Sequence, residues 1–211
     1  MYLDPRGQVL QAVKTYLTMQ LAPFFDASHI RTAYPDAELM QKVGTATGDI
    51  SPLVVLMMGD ERLARDQSNR SEAVFYLNES NLTTPTTYLI EDARLESPFT
   101  VLVVGGGDRG QPERAKIAQA VKSALMLVTV LPLPDAVPEL DTETLTYAYG
   151  LTVQLIFVST RSDDQLALQK VWSTHVIYTA RYGSYHITTN ALIATVRSTA
   201  LLGVGGVAKP E

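Results

Sequence analysis

The sequence predicts an α+β domain in which a mixed, largely antiparallel sheet is packed by two or three helices and carries an extended charged arm or hairpin. Three observations predict this class: two stretches with the apolar spacing of an amphipathic helix, several apolar runs of strand length, and a strict two-residue alternation over residues 145–158. The composition, with 46% hydrophobic and 18% charged residues, is that of an ordinary globular protein.

The length of the chain, 211 residues, is enough for one domain with a well-buried core. We assign residues 1–202 to a single α+β domain, within which residues 59–98 form an inserted arm or loop region. The glycine-rich residues 203–211 are expected to form a flexible C-terminal tail.

The first helix is predicted over residues 5–20, with Asp4 as its N-cap. Its apolar stripe needs a sheet beneath it and comprises Val9, Leu10, Val13, Tyr16 and Leu17. A short edge strand is predicted over residues 29–34, where a proline stops it, and a brief helix over residues 37–43.

The middle of the chain begins with a continuous apolar run over residues 53–58, which indicates a buried central strand. The chain then becomes polar, with charges of both signs over residues 59–72, and short strands are predicted at 74–77 and 86–91. Two interpretations of this charged stretch remain open: an arm that extends from the core, and a solvated loop with no partner.

A second buried strand is predicted over residues 99–104, and a second long helix over residues 112–126. The apolar stripe of this helix includes Ile117, Val121, Ala124, Leu125 and Val128. The linker that follows is marked by Pro132, Pro134 and Pro138.

Residues 145–158 show the clearest pattern in the chain, a strand with one apolar face. That face comprises Leu145, Tyr147, Tyr149, Leu151, Val153, Leu155 and Phe157. Such a strand is longer than the usual five or six residues and reaches roughly 45 Å. We expect its apolar face to pack on the helices and one of its ends to run beyond the core into a neighbouring subunit.

The segment after this strand predicts a further helix. Ser162 and Gln165 match a capping box with acidic residues in the first turn, so the helix should extend to about His175. Residues 176–200 are rich in β-branched and aromatic side chains, and we expect one or two strands there with a turn near Gly183.

The charge and the residue types present exclude several classes of function. The chain has 17 basic and 22 acidic residues, a net charge of −5, and no cluster of Lys and Arg that could neutralise a row of phosphates. We expect neither sequence-specific nucleic-acid binding nor membrane insertion. There is no cysteine, so disulfides and thiolate chemistry are excluded, and no secretory signal is evident, which predicts synthesis in a cytoplasm.

No catalytic, cofactor-binding or metal-binding residue is predicted, and we do not expect the chain to be an enzyme. The three histidines, His29, His175 and His186, have no second ligand at metal-binding spacing on one helix face. Acidic pairs could act as acid and base or bind Mg²⁺, but solvated or helix-capping charge is the preferred interpretation of Asp60-Glu61, Glu91-Asp92 and Asp163-Asp164.

A glycine-rich run over residues 105–110 lies between a predicted strand and a predicted helix. Backbone N–H groups in such a turn can bind phosphate. The run lacks the Gly-Lys-Ser or Gly-Lys-Thr of a Walker motif, and Pro112 removes one donor. A tight turn is the preferred interpretation, and a nucleotide- or phosphate-binding α/β enzyme that uses this loop remains an alternative.

Because no catalytic residues are predicted, a role in assembly is the interpretation that explains the long strand, the charged arm and the glycine-rich tail together. In element order the chain resembles the tail terminator and neck proteins of tailed bacteriophages. The resemblance rests on the helix at 5–20, the strand at 53–58, the charged arm, the helix at 112–126 and long Thr/Tyr-rich strands toward the C-terminus.

The resemblance implies a structural protein of the virion, assembled in the host cytoplasm. Its copies would form a homo-oligomeric ring, a hexamer, that caps the tail tube, contacts neighbouring tail-tube or neck proteins and joins them to the head. DNA would pass through an acidic lumen without adhering. The chain is longer than the smaller members and has the extra segment 60–91, so another tail or baseplate component stays open, as does a cellular adaptor that is monomeric until it meets a partner.

Overall fold

The computed structural model describes residues 5–32, 51–64, 73–76, 87–128, 130–133, 152–164 and 170–189. Within these ranges two helices pack on one mixed sheet of eight strands, which confirms the α+β class. The helices are α1 (Pro5–Leu21) and α2 (Gly110–Leu127), and a 3₁₀ turn spans Ala27–His29. The strands are β1 (Ile30–Arg31), β2 (Leu53–Met58), β3 (Arg62–Leu63), β4 (Ala73–Tyr76), β5 (Thr87–Gly106), β6 (Val130–Pro132), β7 (Thr152–Asp163) and β8 (Val171–Thr189).

The main path of the sheet runs β1-β2-β5-β8-β7-β6, and β3 and β4 pair with parts of β5 that β2 does not reach. Only the β1–β2 pair is parallel, and every other described pair is antiparallel. The strands predicted at 53–58 and near residue 30 are confirmed, the latter as an edge strand of two residues. The charged stretch after β2 contributes the short strands β3 and β4.

Both helices cover the same face of the sheet, because residues of each belong to one buried cluster with that face. From α1 this cluster takes Val9, Ala12, Val13, Leu17 and Leu21, and Tyr16 donates from its hydroxyl to the carbonyl of Ala124 on α2 over 3.1 Å. The opposite face has a smaller buried cluster, made of Leu53, Val55, Leu102, Val104 and Val171. Neither described helix is long and apolar enough to cross a membrane.

The longest element differs from the prediction of two separate strands at 86–91 and 99–104. Both belong to β5, a single strand of 20 residues. The polar residues between them stay extended because β8 pairs with β5 from Thr87 to Gly106, with one irregularity between Glu91 and Ala93. A ladder of backbone hydrogen bonds thus decided the conformation where side-chain patterning was uninformative.

The helix predicted from Ser162 to about His175 is wrong. Ser162 is the last residue but one of β7, and His175 lies inside β8. From position 174 the buried side chains of β8 recur at every second residue, namely Thr174, Val176, Tyr178, Ala180 and Tyr182. Strand pairing on both sides of this segment outweighed a capping-box signal that needs only two suitable side chains.

The turn predicted near Gly183 is also wrong, since β8 continues through that position to Thr189. A Cβ at Gly183 would lie 2.4 Å from ring atoms of Tyr185. The glycine is therefore required by an aromatic ring that lies over the strand and not by a reversal of the chain.

The strand predicted over residues 145–158 is confirmed from Thr152 onward, with Val153 and Leu155 buried toward the helices. It continues to Asp163, with a β-bulge at Val158. Its described part pairs with β8 within one subunit, and residues 152–154 of it also pair with β6. The strands that outrun the core are β5 and β8 instead. The predictions for residues 1–4, 33–50, 65–72, 77–86, 129, 134–151, 165–169 and 190–211, including the helix at 37–43 and the tail at 203–211, lie outside the described residues.

The projecting part of β5 and β8 is called the arm below, and comprises β4, residues 87–95 of β5 and residues 182–189 of β8. At about 3.3 Å per residue, β5 is roughly 66 Å long, whereas a compact domain of this size has a diameter of about 44 Å. The last β8 residue that pairs with β7 is Arg181, so the eight arm residues of β8 extend roughly 26 Å further. The inserted arm or loop region predicted at residues 59–98 shares β4 and the first part of β5 with this arm, and it stays a prediction.

Candidate functional site

The structure does not bring the sequence's histidines together. His29 donates from Nδ1 to the carbonyl of Pro52 over 2.7 Å, whereas His175 lies on β8 in register with Leu102 and Arg161. In the seven described ranges, no three His, Asp or Glu side chains are placed to hold a metal ion.

One member of each of two acidic pairs is bound to another part of the fold. Glu61 accepts a hydrogen bond from the Tyr182 hydroxyl over 2.6 Å, and Asp164 forms an ion pair with Arg114 over 2.5 Å. Arg114 is buried and also donates to the carbonyl of Ser173, which ties α2 to the end of β7 and the start of β8. The side chains of Glu91, Asp92 and His186 lie outside the described residues.

Three backbone N–H groups of the glycine-rich turn donate hydrogen bonds to other atoms of the fold. The N–H of Gly106 donates to Ser51 Oγ over 2.9 Å, that of Gly107 to the carbonyl of Lys170 over 3.0 Å, and that of Gly110 to the carbonyl of Gly107 over 3.2 Å. A phosphate would have to displace these bonds, so the geometry favours the tight-turn interpretation over the phosphate-binding alternative.

The glycines of this turn are explained by close packing of β5 on α2. A Cβ at Gly105 would lie 2.1 Å from the carbonyl oxygen of Gly110, and a Cβ at Gly110 would lie 2.8 Å from a ring carbon of Trp172. Gly107 has φ 74°, in the left-handed region that glycine adopts freely. Lys170 pairs with Asp108 over 2.6 Å, and its hydrogen bond and charge lower the pKa of the Asp108 carboxyl.

A buried carboxylate fixes the base of the arm. Glu96 is 3% exposed, and its two oxygens accept hydrogen bonds from Arg181 Nε over 2.6 Å and from Arg62 Nη2 over 3.4 Å. On the neighbouring residue, Ser97 Oγ donates to the carbonyl of Gly59 over 2.9 Å. These contacts join β3, β5 and β8 at the point where the arm leaves the core.

Tyr182 lies at the same point and is buried on the helix-covered face. Burial and the hydrogen bond to the Glu61 carboxylate both raise the pKa of the Tyr182 hydroxyl, so the phenol stays protonated and remains a donor across the ordinary pH range. The bond thus holds the loop between β2 and β3 against the base of the arm.

A groove of about 350 Å³ lies beside the arm base, where β6 and β7 begin. Its lining includes Thr152, Gln154, Tyr185 and the two arginines Arg94 and Arg181. The guanidinium of Arg181 already donates a hydrogen bond to Glu96 and so belongs to the arm base. The groove therefore adjoins the arm rather than forming a separate cluster of reactive groups.

The opposite part of β7 carries an exposed apolar surface. β6 pairs with β7 only from Thr152 to Gln154, so among the described residues no strand pairs with the outer edge of residues 155–162. The last turn of α2, β6 and β7 carry exposed large apolar side chains; we call them the β6–β7 surface, and they are Met126, Leu127, Val130, Ile156 and Val158. β6 is paired with the start of β7, and Lys122 of α2 lies over the Phe157 ring of β7 at 4.8 Å from its centroid.

The sequence contained a signal for this surface, but the regular alternation of apolar and polar residues drew attention away from it. Ile156 and Val158 occupy positions at which the predicted pattern places polar residues, since the apolar face uses Val153, Leu155 and Phe157. Two apolar residues on the solvent side of one strand lose contact with water only if something other than the core covers them. The bulge at Val158 then changes which later side chains face the helices.

The opposite edge of the sheet, along β2, is covered by the chain's own N-terminal part. β1 pairs with β2 at Val54 and Val55, His29 binds the carbonyl of Pro52, and Arg6 Nη2 donates to the carbonyl of Met58 over 2.6 Å. The two edges of the sheet therefore differ. β2 is covered near both ends and in the middle, whereas no described strand covers residues 155–162 of β7.

Comparisons with known proteins give little beyond this geometry. No protein-family model matches the chain, and no curated protein matches it. Among solved structures, a chain of the virion of the native gene transfer agent (GTA) particle is similar at 15% identity with a TM-score of 0.42, over 84% of this chain and 96% of that chain. A likeness of this degree carries no inference about function, and we draw the function from the geometry of the described residues.

We expect Glu96→Gln to lower the free energy of unfolding by about 1.5–3 kcal/mol, because it weakens a buried, charge-assisted pair of hydrogen bonds. Arg62→Gln is the matched control: the Arg62 side chain is 59% exposed, and its loss should cost less than about 1 kcal/mol. Urea denaturation of both variants measures the difference. Equal losses would mean that Glu96 does not anchor the arm.

We expect Gly110→Ala to lower the free energy of unfolding by about 1–3 kcal/mol, because the added methyl group overlaps Trp172 and the Gly105 backbone. The same substitution at the exposed helical residue Gly7 should raise it by roughly 0.5–1 kcal/mol. Thermal denaturation followed by circular dichroism compares the two. A Gly110→Ala protein as stable as wild type would contradict the close packing of β5 on α2.

Proposed function

We propose that this chain is a structural subunit of a phage-like particle. Its copies form a ring, a hexamer, at the tail terminus or neck, which joins the tail tube to the head and lets DNA pass. The observation that carries the proposal is the β6–β7 surface, in which Ile156 and Val158 are exposed on a strand edge that has no strand partner among the described residues.

Both the unpaired strand edge and the exposed apolar side chains favour association with another protein. A strand edge offers a row of backbone donors and acceptors that an added strand can satisfy, and exposed apolar side chains gain free energy when they leave water. Leu127 is 84% exposed and Val158 56% exposed, which is costly for a protein that functions alone. Assembly satisfies the backbone edge and covers the side chains in one step.

The same edge is restricted against indiscriminate pairing. A bulge interrupts the ladder at Val158, and the far end of β7 carries the charged residues Arg161 and Asp163. Bulges and charges are devices by which natural sheets limit edge-to-edge aggregation. The combination of an apolar middle and a charged end suits one specific partner surface.

The ring and its position in the particle are supported by element order. The resemblance to tail terminator and neck proteins rests on an N-terminal helix, a buried strand, a charged arm, a second helix and long C-terminal strands, and the described residues contain α1, β2, the arm, α2 and β8 in that order. The net charge of −5 suits a lumen that DNA passes without adhering. Partners would be tail-tube or neck proteins, with no membrane contact and no sequence-specific DNA contact, in a virion assembled in the host cytoplasm.

We expect the wild-type protein to form a defined oligomer in solution and ring-shaped particles on an electron-microscope grid. Val158→Lys should shift the mass toward the monomer, because a charged side chain replaces an apolar one at the centre of the contact. Light scattering coupled to size-exclusion chromatography, over a range of concentrations, measures the mass.

The control variant is Met19→Lys, which makes the same charge change at an apolar side chain of similar exposure, 62% against 56%, on α1. It should leave the oligomer intact. A wild-type chain that stays monomeric at every concentration, with or without a tail-tube protein, would overturn the proposed function. So would an oligomer that Met19→Lys disrupts and Val158→Lys leaves intact.

A further inference from the structure

We propose that the β6–β7 surface of one subunit binds the arm of a second copy of this chain. This inference rests on the proposed function and adds to it the identity of the partner surface. It makes the contact between subunits heterologous, meaning that two different surfaces of the same chain meet.

The first support is the length of the arm. Residues 182–189 of β8 have passed the last residue that pairs with β7, and residues 87–95 of β5 have passed the last residue that pairs with β2. Tyr182 and Leu95 at its base still pack on the helix-covered cluster, and beyond them the arm continues to roughly 26 Å past Arg181. A projection of this length reaches into the volume of an adjacent subunit.

The second support is direction. The free edge of β7, residues 155–162, runs alongside β8 from Ala180 back to Thr174, whereas the arm continues from Arg181 the other way. The arm of a subunit thus points away from its own free edge and can meet such an edge only on another copy. Two complementary surfaces at opposite ends of one sheet produce a closed ring or an open filament.

The third support is the rigidity of the arm base. Glu96 holds Arg181 and Arg62, Tyr182 holds Glu61, and Ser97 holds the carbonyl of Gly59. Six side chains of three strands and one loop thus set the direction in which the arm leaves the core. An arm that is already oriented loses less conformational freedom when it binds, which favours association.

Two other arrangements would use the same free edge. Continuation of the sheet from β7 to β2 of the next copy is disfavoured, since the N-terminal part of the chain already covers β2 at Pro52, Val54–Val55 and Met58. Pairing of β7 with β7 of a second copy about a two-fold axis remains as the competitor, and it predicts a closed dimer with no role for the arm.

The absence of cysteine from the chain permits a direct test by cross-linking. Ser159→Cys places a thiol at an exposed position of the free edge, and Ile187→Cys or Thr188→Cys places one at successive positions of β8 near the end of the arm. Within one chain these positions are far apart: Ser159 pairs with Ile177, and Ile187 lies ten residues further along β8, roughly 33 Å away. A short bismaleimide can therefore join them only between copies.

We expect at least one double variant, Ser159→Cys with Ile187→Cys or with Thr188→Cys, to give a ladder of covalent multimers that ends at the ring number, six for a hexamer. Each single variant should stay uncross-linked. Dimers from Ser159→Cys alone would show β7–β7 pairing, and dimers from an arm cysteine alone would show arm–arm contact; either result overturns the inference.

The failure of this inference can be told apart from the failure of the proposed function. A wild-type protein that is monomeric overturns both. A wild-type oligomer in which none of the double variants cross-links overturns only the inference, because the copies then associate without the arm reaching the β6–β7 surface. Circular dichroism of each cysteine variant confirms that the fold is intact before cross-linking.

Discussion

The rest of the structure depends on one interaction, the antiparallel ladder between β5 and β8. It runs from Thr87 paired with Thr189 to Gly106 paired with Val171 and is interrupted once. At one end it is the floor on which both helices pack, and at the other it is the arm. β2 and β7 pair along the two sides of its helix-covered end, so every longer strand of the sheet takes its position from this pair.

The two ends of that ladder are stabilised by different physical means. Under the helices, apolar side chains such as Val103 and Val176 are fully buried, and hydrophobic burial holds the strands. At the base of the arm the same strands are joined by Glu96, Arg181 and Tyr182 through hydrogen bonds and opposite charges. The change from apolar to polar contacts marks the boundary between the part of the chain that folds around a core and the part that projects from it.

The glycine-rich turn illustrates how a motif that looks chemical can be structural. Gly105 and Gly110 let a strand and a helix approach to a distance that no side chain permits, and the N–H groups of Gly106, Gly107 and Gly110 bind atoms of the same chain. In the described residues, a strand edge without a partner lies instead at residues 155–162 of β7. That edge, with the apolar side chains around it, is where the chain is equipped to meet another protein.

By itself the sequence determined the elements whose signal is local. The helices α1 and α2, the strand β2 and the alternation of Val153, Leu155 and Phe157 follow from apolar spacing that is read within one element, and they were predicted correctly. Only the tertiary structure decided the rest. β8 overrode a capping box at Ser162 and passed through Gly183, β5 crossed a polar stretch unbroken, and the arm emerged, because backbone pairing between segments about 90 residues apart supplies hydrogen bonds that no local pattern encodes.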